Sequence, residues 1–145
     1  MAKFDALFEF ADGQSMPNGT TTVCTNVLNW DENNIYPEAG VDCFMCARVN
    51  TAPSGGTSIT MKVYRHTATD INSGTLLLTG EVVAKEAATA GTWLMVVNLP
   101  PRCNTADYFG FVMTGGGDVS TGKIDAMLLS YNPQKSTQVT ASNIT

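Results

Sequence analysis

Apolar and polar residues alternate along much of this chain with a period of two. Ile59, Met61 and Val63 share one face, against Thr60, Lys62 and Tyr64 on the other. Val41, Cys43, Met45, Ala47 and Val49 share a face, with Asp42 and Arg48 opposite. Successive side chains of a strand point to opposite sides of a sheet, so such runs predict strands with one side buried and one side wet. Eight strand-like stretches follow, at approximately Phe4–Phe10, Thr20–Leu28, Val41–Val49, Ser58–Arg65, Thr75–Val83, Trp93–Leu99, Tyr108–Met113 and Lys123–Ser130. Turn signals separate them: Asp12–Gly13, Pro17–Gly19, Asp31–Asn34, Pro53–Gly56, Asn72–Gly74 and Gly115–Asp118.

Strands punctuated in this way favour an all-β sandwich or barrel. Eight strands in two packed sheets is the jelly-roll count, although a count does not fix a topology. The most apolar stretch runs from Gly91 to Gly117. Its two strands, Trp93–Leu99 and Tyr108–Met113, are apolar on both faces, which suits the middle of a two-layer structure. Pro100 and Pro101 end the first of them, because proline lacks the N–H that a ladder needs. Trp93, inside this stretch, is expected in the core.

The two ends of the chain read differently. Phe4, Leu7, Phe8 and Ala11 follow helical spacing, while Phe8 and Phe10 follow strand spacing. A strand or an extended arm over residues 1–13 is the preferred reading. Its phenylalanines either fill the chain's own sandwich or dock on a neighbouring subunit. The segment Ala87–Ala90 has room for a short helical turn that Gly91 stops. Residues 133–145 form a polar tail, apart from Val139 and Ile144.

Length and charge narrow the picture further. At 145 residues the chain is expected to form a single domain spanning residues 1–145. Charged residues make up 14% and the net charge is −5. The eight Lys and Arg are scattered singly, so no basic patch is available to neutralise phosphates, and nucleic-acid binding is not expected. No apolar run approaches the ~20 residues of a membrane span. No signal-peptide pattern opens the chain, so synthesis in a cytoplasm with reduced thiols is expected.

Candidate chemistry is sparse. Cys43 and Cys46 have the C-x-x-C spacing, with Cys24 and Cys103 as further conceivable zinc ligands. On a strand, residues three apart point to opposite faces, and buried cysteine behaves as a small hydrophobe, so core thiols are the expectation. His66 is the single histidine; it ends a strand and has no nucleophile motif beside it. Asp31–Asn34 lacks the register of a calcium loop, and Gly115–Gly117 is not followed by the Lys-Ser/Thr of a phosphate cradle. No catalytic residue, metal or cofactor is expected. Trp30, beside a polar turn, is the one plausible exposed aromatic platform, as a carbohydrate-binding module would use.

Several segments, in order, resemble one family. They are the opening strand Phe8–Ser15, the Thr22–Trp30 block ending Thr-Asn-Val-Leu-Asn-Trp, and the glycine turn and strand Gly55–Val63. Gly91–Phe111 and the closing strand Gly122–Leu129 complete the set. Together they resemble the capsid cement, or head decoration, proteins of tailed bacteriophages. Asn29 stands where that family usually has Asp, and the cysteines are not part of its pattern. The resemblance implies an eight-stranded jelly-roll β-sandwich without enzymatic activity. It implies a virion protein on the outer surface of an HK97-fold capsid, bound to the major capsid protein and stabilising it against DNA packing pressure. A homo-oligomer, dimer or trimer, is implied as well. Phe4, Leu7, Phe8, Phe10 and Trp30 are the candidate capsid or oligomer contacts. The alternative is a phage-borne carbohydrate- or receptor-binding β-sandwich module.

Overall fold

A computed structural model describes residues 9–29, 43–98 and 107–136. The fold is all-β, with two antiparallel sheets packed face to face. The strands are β1 (Glu9–Ser15), β2 (Thr21–Val23), β3 (Leu28–Asn29), β4 (Phe44–Thr51), β5 (Ser58–His66), β6 (Thr75–Ala84), β7 (Trp93–Asn98), β8 (Tyr108–Gly116) and β9 (Lys123–Leu129). Sheet one has the order β1-β9-β4-β7. Sheet two has the order β2-β8-β5-β6, with β3 also paired to β8. Single 3₁₀ turns at Ile71–Ser73 and Lys85–Ala87 and one helical turn at Pro133–Ser136 are the helical elements described.

The period-two pattern places the core. Met45, Ala47 and Val49 of β4 and Ile124 and Ala126 of β9 point inward from sheet one. Ile59, Met61 and Val63 of β5 and Phe109, Phe111 and Met113 of β8 meet them from sheet two. Phe10 completes this layer with no exposed surface. Its ring lies edge-on to Phe111 at 5.2 Å and to Phe109 at 6.2 Å. Edge-to-face pairs at such distances add to the burial of three large rings. Methionines fill much of the remaining volume, as flexible thioethers can in an irregular gap.

Three elements depart from the sequence reading. The first strand begins at Glu9 and runs through Asp12–Gly13, which the sequence marks as a turn. Gly13 has φ of 56° and sits in a bulge between Ala11 and Gln14, so a turn dipeptide is absorbed into a strand. The stretch Thr20–Leu28 is one path along β8 broken into β2 and β3, which is why nine strands are described rather than eight. β7 is an edge strand of sheet one and not a central one. Its second apolar face packs Trp93 and Val96 on the outside of sheet one, so Trp93 is half-buried there rather than in the core.

Side-chain hydrogen bonds close one side of the sandwich, where β1 faces β2 and β3. Gln14 donates from Nε2 to the Val23 carbonyl at 3.0 Å. Its Oε1 accepts from the Thr25 backbone N–H at 2.7 Å and from Thr25 Oγ1 at 2.9 Å. Asn26 donates its backbone N–H to the Phe10 carbonyl at 2.9 Å and its Nδ2 to the Glu9 carbonyl at 3.0 Å. The break between β2 and β3 thus places Thr25 and Asn26 to satisfy donors and acceptors on the other sheet. The opposite side, between β6 and β7, holds instead a groove of about 360 Å³ lined by Leu78, Gly80, Glu81, Trp93, Met95 and Val97.

Candidate interaction surface

The strand registers lay out both outer faces of the sandwich row by row. On sheet one, Glu9, Met127, Cys46 and Val96 lie side by side across β1, β9, β4 and β7. The next row is Asp125, Arg48 and Trp93. Cys46, Met127 and Leu129 are buried on this face and form an apolar cluster of their own with Phe44, Trp93 and Val96.

Asp125 is the polar centre of that face and only 8% exposed. It accepts from the Gly13 backbone N–H at 2.9 Å, from Asn50 Nδ2 at 3.1 and 3.2 Å, and from Arg48 Nε at 3.3 Å. A buried carboxylate is tolerated when donors surround it in this way. Arg48 also lies 5.9 Å from the Trp93 ring centroid, in cation–π range. The arrangement joins β1, β4 and β9, and it holds the Gly13 bulge in place. Burial, then the negative charges of Asp12 and Asp125, raise the pKa of Glu9 at the edge of this cluster.

On sheet two the outer face carries small β-branched residues. Thr21, Thr114, Thr60 and Val82 form one row across β2, β8, β5 and β6. Val23, Val112, Lys62 and Thr79 form the next. Gly110, Tyr64 and Leu76 follow. The hydroxyls of Thr21 and Thr114 are 3.4 Å apart. Ile71 from the 3₁₀ turn is buried over Gly110, where a Cβ would come within 3.1 Å of Ile71 Cδ1. Lys62 is the one charged residue in these three rows. Short side chains at the exposed positions of these rows make a surface suited to broad contact rather than to enclosing a small molecule.

The residues singled out from sequence fall in several places. Phe10 is an internal core ring, so it belongs to the chain's own sandwich and is not a docking anchor. Phe4, Leu7, Phe8 and Trp30 lie outside the described residues. Cys24 is buried in the main core and Cys46 in the outer cluster of sheet one. Burial pushes the Cys24 thiol up to about 12; burial, and then the neighbouring Cys43, do the same to Cys46. Cys43, just before β4, is raised by burial and partly offset by the Phe44 backbone N–H. Thiols held protonated in this way are poor nucleophiles and poor metal ligands. Among the described residues, no three His, Cys, Asp or Glu side chains converge as a metal site. His66 closes β5, with Nε2 3.7 Å from Asp70 Oδ1.

The sequence reading missed two features. The first is the Asp125 centre, whose partners Gly13, Arg48 and Asn50 come from two other strands. The period-two rule put Arg48 on an outer face, which was the available signal. The second is the exposed apolar edge of β6, marked only by an uncharged Thr-Leu-Leu-Leu-Thr-Gly run. No protein-family model and no curated protein sequence matches the chain.

Proposed function

We propose that this chain is a structural virion protein of a tailed bacteriophage, a cement protein on the outer surface of an HK97-fold capsid. Its partner in this reading is the major capsid protein, and its work is mechanical: it carries no catalysis and no cofactor. The fold in this reading is an eight-stranded jelly roll, with β2 and β3 counted as one strand. The strand orders β1-β9-β4-β7 and β2-β8-β5-β6 support that reading, since first pairs with last and the two sheets alternate inward through the sequence. The ordered resemblance of five segments to the cement family supports the role.

The observation that carries the proposal is the outer face of sheet two. In its Thr and Val rows Thr21, Thr79 and Val82 stand open to solvent and Val23, Lys62 and Thr114 are half-buried, a nearly uncharged strip that offers hydroxyls, while Thr60 and Val112 are buried. A clamp against internal pressure needs contact area and stiffness, and a standard stable interface takes roughly 800 Å² per partner. Many modest contacts repeated around a shell reinforce one another. Net charge of −5 suits an exterior position, where packed DNA is on the far side of the shell.

The test is a particle experiment. Purified virions are expected to hold this chain in numbers comparable to the major shell subunit, and particles assembled without it are expected to break at lower temperature. A few copies per virion, or unchanged heat resistance, would overturn the proposal. Thr21→Arg and Thr114→Arg test the face itself: each should weaken capsid binding while leaving the fold intact.

A further inference from the structure

Natural proteins guard the edges of their sheets with short strands, charges, proline or bulges, because an open edge is a template for a further strand. Three of the edges described here are guarded in that way. β2 has only three residues. β1 is bulged and carries Glu9 and Asp12. β6 is bulged twice and carries Glu81. β7 has neither charge nor proline. Its one bulge is at Leu94, and from Met95 to Asn98 it pairs regularly with β4. It is apolar on both faces, as an interior strand is, yet β4 is its only sheet partner among the described residues. Beyond its open edge lies the groove shared with β6, where Leu78 remains 39% exposed between the sheets.

We propose that this groove is the docking site for residues 137–145 of the same chain, added to sheet one as a strand antiparallel to β7. The path of the chain leads there. β9 ends at Leu129 opposite Phe44, and Phe44 lies opposite Asn98, so the ends of β9 and β7 are level. The chain then crosses to the helical turn Pro133–Ser136, which packs against β7 and brings Gln134 to the wall of the groove. A strand that continues from this turn toward Trp93 runs antiparallel to β7, as every other pair of neighbouring strands in the fold does. It would satisfy the backbone groups that β7 turns away from β4.

The segment suits the site in sequence and in length. Thr-Gln-Val-Thr-Ala-Ser-Asn-Ile-Thr has no charge, no glycine and no proline, and five of its nine residues are β-branched. Strand alternation sets Val139 and Ala141 on one side and Gln138, Thr140 and Ser142 on the other. The first side matches the apolar wall of Leu78, Met95 and Val97, and the second matches water. Glu81 is the one charged residue of the groove wall, and an uncharged strand does not repel it. Nine residues at ~3.3 Å each reach ~30 Å, more than the ~20 Å length of β7. The inference stands apart from the cement reading and neither needs nor supports it.

Hydrogen exchange of the full chain, followed amide by amide, tests it. On an open edge, alternate amides of Met95, Val96 and Val97 exchange as in a free peptide. With the added strand in place, all three are expected to be slowed at least about a hundredfold. Ala141→Pro removes an N–H and fixes φ in the middle of the added strand, so it should speed the outward-facing β7 amides at least about tenfold. Thr140→Val should leave them unchanged. Undisturbed protection of β5 and β8 in each variant shows that the sandwich itself is intact. Alternate β7 amides that exchange freely in the wild type overturn the inference, as does protection that Ala141→Pro leaves in place. Protection that grows with protein concentration also overturns it, by assigning the strand to a second copy.

Discussion

On the outer face of sheet one, Asp125 is buried under donors from Gly13, Asn50 and Arg48, and Cys46 and Met127 are covered as fully as core residues. At the same level on sheet two, Thr79 and Val82 stand open to solvent, and Lys62 is the lone charge. Both faces come from the same alternation of strand residues. The first is committed to the fold: its polar groups satisfy one another and its apolar groups are packed. The second is covered at Thr60 and Val112 but left open toward β6, at Thr79 and Val82. The difference separates two meanings of an outward-facing residue. One kind holds the molecule together, and the other is available to something outside it.

Substitutions on the two faces sharpen that contrast. Asp125→Ala should cost the most, about 3 kcal/mol, because it strands the Asn50 amide and the Gly13 N–H and leaves Arg48 unpaired. Arg48 is itself more than a third exposed, so most of the loss comes from the two uncharged donors. Urea titration measures it; a loss under ~1 kcal/mol would mean that water replaces the carboxylate. Met127→Ala should cost about 2 kcal/mol, since it opens a cavity in a covered cluster. Were its cost as small as that of a surface site, sheet one's outer face would not be a second core.

Val82→Lys should change stability by no more than about 0.5 kcal/mol, the range of ordinary surface sites, despite replacing an apolar residue with a charge. A larger loss would show that this edge is covered within the chain. The smallest effect belongs to Glu9→Gln. The folded pKa of Glu9 is raised by burial and by Asp12 and Asp125, so ionised Glu9 opposes folding. Its favourable contribution is complete below the unfolded carboxylate pKa and is lost as pH rises through the folded value. The variant should therefore melt slightly higher than wild type at pH 7, with the gain vanishing in acid. Thermal melts at both pH values read it, and a gain that persists at low pH would assign the effect to something other than charge.

Alternation made the two-sheet architecture legible. The inward faces of β4 and β5 are the ones the sequence marks, and most strand limits agree to within a few residues. The misses have local physical causes. Asp12–Gly13 carries the signature of a turn, and only the distant Asp125 carboxylate shows why the strand continues through it. The Thr20–Leu28 run gives no hint of its break, because the partners that hold Thr25 and Asn26 outside the ladder are Gln14, Phe10 and Glu9 on the other sheet. β7 is apolar on both sides, like a central strand, yet its outer side faces a cluster that no periodicity announces. Of the proposed contacts, Phe10 fills the chain's own core, one of the two roles the sequence left open, because aromatic residues near a chain end suit a core and an anchor equally well. The β6 edge was missed because an uncharged strand looks the same whether it is central or open.

β1 finds its sheet partner in β9, more than a hundred residues downstream. A ribosome producing this chain must therefore deliver β9 before sheet one can close over Phe10 and its aromatic neighbours. Until then the nascent polypeptide holds its earliest strand unpaired, a state that favours slow maturation and early encounter with chaperones.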